Sequence, residues 1–205
     1  MKEVHLPLIF LFLFTLSFCT TPSEKLPTTP TKKSFTPSSE KYTGRYDRYF
    51  KKYSKRYFSS AFDWKWFKSQ AIAESNLRED AESWVHAQGI MQVMPKTFEY
   101  IKEKNPELKD IHDPKWNIAA GIYYDRRMWD YWKAERPLMD RINFMFGSYN
   151  AGHNRIFKAQ RICRKEGLNE NLWHSIVKIA PSVPNWRHKE TIGYVRKIGN
   201  FKKEL

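Results

Sequence analysis

The chain has 205 residues, 36 Lys+Arg against 22 Asp+Glu, and a formal net charge of +14. That length holds one ordinary domain with extensions and leaves little room for two. With 41% hydrophobic and 28% charged residues the composition argues against wholesale disorder, and two cysteines exclude a disulfide scaffold. The charge predicts an anionic partner (nucleic acid, an acidic membrane face or an anionic polymer) without choosing among them. An aromatic content of 16% fits either an aromatic core or a cleft for sugars or bases.

Residues 1–19 read as a signal segment. Met1-Lys2 opens it, and Leu6 to Phe18 is an apolar run broken by Pro7, Thr15 and Ser17. The run is too short for a bilayer, which takes about 20 residues, and fits a secretory apolar region. It ends in Leu16-Ser17-Phe18-Cys19, which resembles the lipobox of bacterial lipoproteins with Cys19 as the lipidated residue. That implies a lipid-anchored protein of the cell envelope, with the outer membrane as its expected support. Phe18 stands where a small residue is usual, so plain secretion or an uncleaved anchor stays open. Cys163 is then a lone cysteine, expected to pack as a small buried hydrophobe.

Residues 20–41 are rich in Ser, Thr and Pro without hydrophobic period, and predict a disordered tether. Residues 42–60 predict a basic aromatic helix. Tyr42, Tyr46, Tyr49, Tyr53 and Tyr57 recur at helical spacing with Lys and Arg between them. Residues 20–62 hold 10 Lys+Arg against 3 Asp+Glu, so half the net charge lies there. The helix either docks its Tyr face on the following domain or grips anionic lipid. Docking is the preferred expectation, because a Tyr stripe needs partners for its hydroxyls.

Residues 61–205 form the main domain. Helical periods dominate it, and no Asn-Gly or Asp-Gly hairpin signal occurs. Asp63 is placed to cap a helix starting at Trp64. Trp64, Phe67, Ala71 and Glu74 then share one stripe, which puts a carboxyl on the apolar face near a helix end. Burial and the negative end of the helix dipole both favour the protonated form. A carboxyl kept protonated near neutral pH can act as a general acid. The alternative is a Glu that tips into solvent or pairs with Arg78.

The surrounding text bears on that choice. Ala71-Ile72-Ala73-Glu74-Ser75 is followed by Ser83-Trp84 and by Gly89-Ile90-Met91-Gln92-Val93-Met94-Pro95. Asp113-Pro114, Asn117-Ile118-Ala119-Ala120-Gly121, Ser148-Tyr149-Asn150-Ala151-Gly152 and Glu190-Thr191-Ile192-Gly193-Tyr194-Val195 come next. In this order they resemble the soluble lytic transglycosylase (SLT) catalytic domain, with the nearest likeness to the membrane-bound F type, over about residues 60–200. The amino-terminal solute-binding domain of the F type has no expected counterpart. The resemblance implies a mainly α, lysozyme-like domain with a sugar cleft, and at most a small hairpin where Arg78–Gln88 lies.

It also implies a reaction. The β-1,4 bond between N-acetylmuramic acid and N-acetylglucosamine of peptidoglycan is cleaved without water, leaving 1,6-anhydro ends. Glu74 matches the single acid that protonates the glycosidic oxygen and then deprotonates the C6 hydroxyl. Ser75, Gly89, Met91, Gln92, Tyr149, Asn150 and Tyr194 match substrate-binding positions. Glu190 reads as a structural partner. A two-carboxylate hydrolase would need a second acid, for which Glu79, Asp80, Glu82 and Asp113 are the candidates in the sequence. His86 replaces a usual Gly, which puts the loop's shape in question if that backbone needs positive φ.

No cofactor and no metal is expected, since neither His86 nor His153 has ligands at suitable spacing. No nucleic-acid motif appears. The expected partners are peptidoglycan glycan strands and, through the lipid, a membrane; the chain is expected to be monomeric. The competing readings are a hydrolytic muramidase on the same fold, a non-catalytic peptidoglycan-binding protein, and a basic membrane- or nucleic-acid-binding protein.

Overall fold

The computed structural model describes residue 42 and residues 44–205. The expected signal segment 1–19, with Cys19, and the expected tether 20–41 lie outside the described residues. Among the described residues the fold is mainly α. The helices are α1 (Asp47–Phe58), α2 (Lys65–Ser75), α3 (Pro95–Lys104), α4 (Pro114–Tyr131), α5 (Leu138–Ala151), α6 (His153–Lys165), α7 (Trp173–Ile179) and α8 (His188–Glu204), with a 3₁₀ turn at Ala180–Ser182. Extended pairing among these residues is limited to two isolated antiparallel bridges, Glu82 with Gln88 and Gln88 with Val93. They pin the loop between α2 and α3, where the sequence allowed a small hairpin.

The basic aromatic segment becomes α1, but the helix begins later than the Tyr spacing predicts. Tyr46 sits in the left-handed region at φ 63°, so Tyr42 and Tyr46 precede the helix. Phe50 and Tyr53 are buried, and α1 packs on α4 and α2. Tyr57 meets Tyr123 of α4 edge-on at 5.3 Å and donates to Asn105 Oδ1 at 3.3 Å. Asp47 pairs with buried Lys68 of α2 at 2.6 Å. The Lys68 ammonium would be costly inside without that partner.

Helix starts follow from capping chemistry. Asp63 Oδ1 accepts from Lys65 N–H at 3.0 Å, the two-residue reach of a capping side chain, at the start of α2. Asp113 Oδ1 accepts from Lys115 N–H at 2.8 Å, with Pro114 in the first turn, so Asp-Pro starts α4. α4 and α5 pack together, and α8 closes against α2 and α5. Gly147 lets α5 and α7 approach: a Cβ there would lie 2.4 Å from the Trp173 ring. Cys163 is fully buried in the core on α6.

Candidate active site

Glu74 stands one residue before the end of α2. The helix closes on Asn76, left-handed at φ 58°, whose N–H donates to Ile72 O at 3.0 Å. Tyr42 Oη donates to the Asn76 side chain. Leu77 is also left-handed, at φ 60°, and the chain turns into the loop before α3. Ser75 Oγ donates to Ile90 O at 2.8 Å and so binds the end of α2 to that loop.

From the other side, Tyr194 of α8 donates its hydroxyl to Glu74 Oε1 at 2.5 Å. The Glu74 carboxyl is densely surrounded although the residue as a whole keeps some exposure. Burial pushes its pKa up to about 8. The Tyr194 hydrogen bond pulls it down and the Glu190 charge pushes it further up. Glu74 therefore holds its proton at neutral pH and can release it within the physiological range.

Tyr149 of α5 donates to Met91 O at 2.7 Å and meets Tyr124 edge-on at 5.2 Å. Burial, followed by the Glu74 charge, pushes both Tyr149 and Tyr194 well above the ordinary tyrosine range. Both hydroxyls are thus donors at neutral pH and not bases.

The loop from Arg78 to Met94 is shaped by Asn117, whose importance the sequence reading missed. Asn117 Oδ1 accepts from Met91 N–H at 2.8 Å, and its Nδ2 donates to Gln88 O and Ile111 O at 2.9 and 2.8 Å. Gly89 lies against it at φ 73°; a Cβ there would fall 2.4 Å from Asn117 Nδ2. Met91 is fully buried, and its side chain lies where a Cβ on Gly121 would come within 2.7 Å. The Asn117-to-Gly121 motif is therefore a clamp on the loop. Gln92, at φ 46°, turns its Nε2 back on the loop, donating to Ala81 O at 3.1 Å and Gly89 O at 3.0 Å. His86 does occupy positive φ, at 63°, and its ring pairs with Glu82 at 2.8 Å.

Tyr149 and Asn150 part company. Asn150 Oδ1 accepts from Thr191 Oγ1 at 2.8 Å, and Thr191 Oγ1 accepts from Trp186 Nε1 at 3.0 Å. Asn150 lines a separate cavity of about 220 Å³ with Arg155, Trp186, Arg187 and Glu190. A larger cavity, about 630 Å³, lies between Trp66, Met139, Trp173 and the outer face of α8, and none of Glu74, Tyr149 or Tyr194 lines it.

Three of the four second-acid candidates are engaged elsewhere. Glu79 accepts from Tyr46, Glu82 pairs with His86, Asp113 caps α4, and Asp80 is exposed. Glu190 pairs with Arg187 at 3.1 Å. A further carboxyl, Asp125 of α4, is fully buried and accepts from Gln70 Nε2 at 3.2 Å. The sequence reading missed it, although Ile118, Ile122 and Asp125 share one helical stripe. Among the described residues no group of three His, Cys, Asp or Glu is placed to hold a metal.

Residues 48–171 match the transglycosylase SLT domain family. The chain is 29% identical over 154 residues to membrane-bound lytic murein transglycosylase F of Pseudomonas fluorescens strain Pf0-1, covering 74% of this chain and 30% of that protein. It is 28% identical over 137 residues to the protein of the same name from Desulfosudis oleivorans, covering 66% and 29%. The chain thus spans under a third of the length of these curated relatives. Among solved structures, the 70 kDa soluble lytic transglycosylase of Escherichia coli superposes with a TM-score of 0.59 at 22% identity, over 78% of this chain and 24% of that one. The mainly α, lysozyme-like fold is shared with it. With more than half its length inside the family match, and Glu74 and Tyr194 meeting at the end of α2, the chain belongs to the transglycosylase SLT domain family.

Proposed function

We propose that the chain is a lytic transglycosylase that cleaves the β-1,4 bond between N-acetylmuramic acid and N-acetylglucosamine in peptidoglycan and leaves 1,6-anhydro-N-acetylmuramic acid ends. The observation that carries this reading is one protonated carboxyl, Glu74, with its pKa pushed up to about 8 and a hydroxyl donor 2.5 Å away. Such a group can work in both directions. It gives its proton to the glycosidic oxygen, and the carboxylate that remains, steadied by Tyr194, takes the proton of the C6 hydroxyl. The nucleophile belongs to the same sugar and arrives already oriented, so no second carboxylate has to activate water.

Around that step, Tyr149 and Ser75 hold the loop, and Gly89 and Met91 set its path against Asn117. Gln92 would meet an acetamido N–H through Oε1, because its amide hydrogens serve the loop. Asn150 would contact sugar farther along, at the small cavity it shares with Arg155. Peptidoglycan strands are the partner, in the cell envelope. A lipid on Cys19 would anchor a monomer, and Cys19→Ala should then move the protein from the membrane to the soluble fraction. Against a hydrolytic reading stands the engagement of Glu79, Glu82, Asp113 and Glu190 with other groups. Incubating purified sacculi with the wild type and with Glu74→Gln tests the proposal. Release of muropeptides by the wild type alone is expected; equal release by both would reject Glu74 as the acid.

A further inference from the structure

Gln70 and Asp125 are both fully buried, on α2 and α4. Gln70 lies one helical turn before Glu74, on the same face of α2. Its Nε2 donates to Asp125 Oδ1 at 3.2 Å. The two remaining side-chain oxygens, Gln70 Oε1 and Asp125 Oδ2, are also buried, and neither has a hydrogen-bond donor. Two buried acceptors without a donor, on side chains already joined by one hydrogen bond, are costly. One proton satisfies both.

We propose that Asp125 is held as a neutral carboxylic acid whose Oδ2–H donates to Gln70 Oε1, closing a cyclic acid–amide pair that keeps a second negative charge away from Glu74. Gln70 Nε2–H to Asp125 Oδ1 is the other half of the ring. The groups around Asp125 support this. Gln70 bonds it from α2, and the titratable groups in electrostatic reach of it are Glu74 of α2, Tyr124 of α4, Tyr149 of α5 and Tyr194 of α8. The charged group acting on Asp125 is Glu74, an anion when ionised. Burial first and Glu74 second push the Asp125 carboxyl well above its ordinary range. Asp125 is therefore a positioning residue. It ties α2 to α4 beneath Glu74 and stays uncharged, so Glu74 can ionise after giving up its proton without meeting a second anion.

The proton on Asp125 does not depend on which reaction Glu74 runs, whereas its effect on rate rests on the proposed function. Two measurements separate them. A carbon-13 NMR titration of the folded wild type, with labelled Asp and Glu side chains, reads the first. The Asp125 carboxyl is expected to show the shift of an acid at pH 7 and to stay so while Glu74 titrates; a carboxylate shift at pH 7 would overturn the proposal. The pH–rate profile of Asp125→Asn on sacculi reads the second. An amide can donate to Gln70 Oε1 as the acid does, so the basic limb is expected to stay where the wild type has it. A limb displaced downward by about one unit, tenfold in proton concentration, would mean that an ionised Asp125 had been raising Glu74, and would overturn it. If Asp125→Asn does not fold, the wild-type titration decides alone.

Discussion

Tyr194 of α8 donates a hydrogen bond to Glu74 of α2 across 120 residues of sequence, at 2.5 Å. The bond favours the carboxylate, while burial favours the acid, and burial wins by enough to leave the group near pH 8. A free glutamate would be ionised by pH 7. The helix pair α2 and α8 thus sets the protonation state of the site.

The Glu74→Gln variant should lose at least about 100-fold in rate, the usual contribution of a general acid. The same variant should be more stable than the wild type at neutral pH. The folded Glu74 pKa is raised above its unfolded value, so the native state binds more protons between pH 4.5 and about 8. Stability attached to Glu74 is therefore full below pH 4.5 and declines as pH rises to about 8. Gln carries no such dependence. At pH 7 the gain should be about 2 kcal/mol, a figure reduced for the water that reaches the exposed part of Glu74. Urea unfolding at pH 4.5 and pH 7 measures it, and an equal difference at both pH values would contradict the assignment.

Tyr194→Phe removes the donor that favours the carboxylate. A hydrogen bond to a charged acceptor is worth about 1.5–3 kcal/mol, so the Glu74 pKa should rise by about one unit or more. The basic limb of the pH–rate profile should move upward and kcat should fall with KM little changed. An unmoved limb would show that the bond does not act on Glu74.

The loop between α2 and α3 should depend strongly on Asn117. Asn117→Ala strips partners from Met91 N–H, Gln88 O and Ile111 O together. Gln88 O keeps Val93 N–H at 3.0 Å, so two groups are left unpaired, and a loss of about 2–6 kcal/mol is expected at roughly 1–3 kcal/mol for each. Thermal unfolding checks it, and a Tm equal to the wild type's would contradict the clamp.

Gly89→Ala tests the same clamp from the other side. The added Cβ would fall 2.4 Å from Asn117 Nδ2 on a backbone already at φ 73°. Either the loop shifts or Asn117 turns away, and both separate Met91 from Tyr149. Destabilisation of about 1–3 kcal/mol and a raised KM are expected.

Much of this was legible in the sequence because helical periodicity and capping are local. The stripe Trp64, Phe67, Ala71 and Glu74 placed a carboxyl on a buried face, and Asp-Pro marked the start of α4. The left-handed turn at Tyr46 was not legible, since spacing alone continued the helix back to Tyr42. Asn117 sat in a quoted motif, but its three bonds reach residues 6 to 29 positions away, and no local pattern reveals them. Asp125 broke an apolar stripe as Glu74 did, yet no sequence rule paired it with Gln70, 55 residues earlier. Tyr149 and Asn150, adjacent in sequence, were read as one unit. On a helix neighbours point about 100° apart, and the two reach different partners.

The central claim is that bond cleavage needs one carboxyl and no water. Digestion of sacculi in water enriched in oxygen-18, followed by mass spectrometry of the released muropeptides, tests it most directly. The account predicts 1,6-anhydro ends carrying no oxygen-18, formed by the wild type and absent with Glu74→Gln. Reducing ends that carry oxygen-18 would contradict it and make the enzyme a hydrolase.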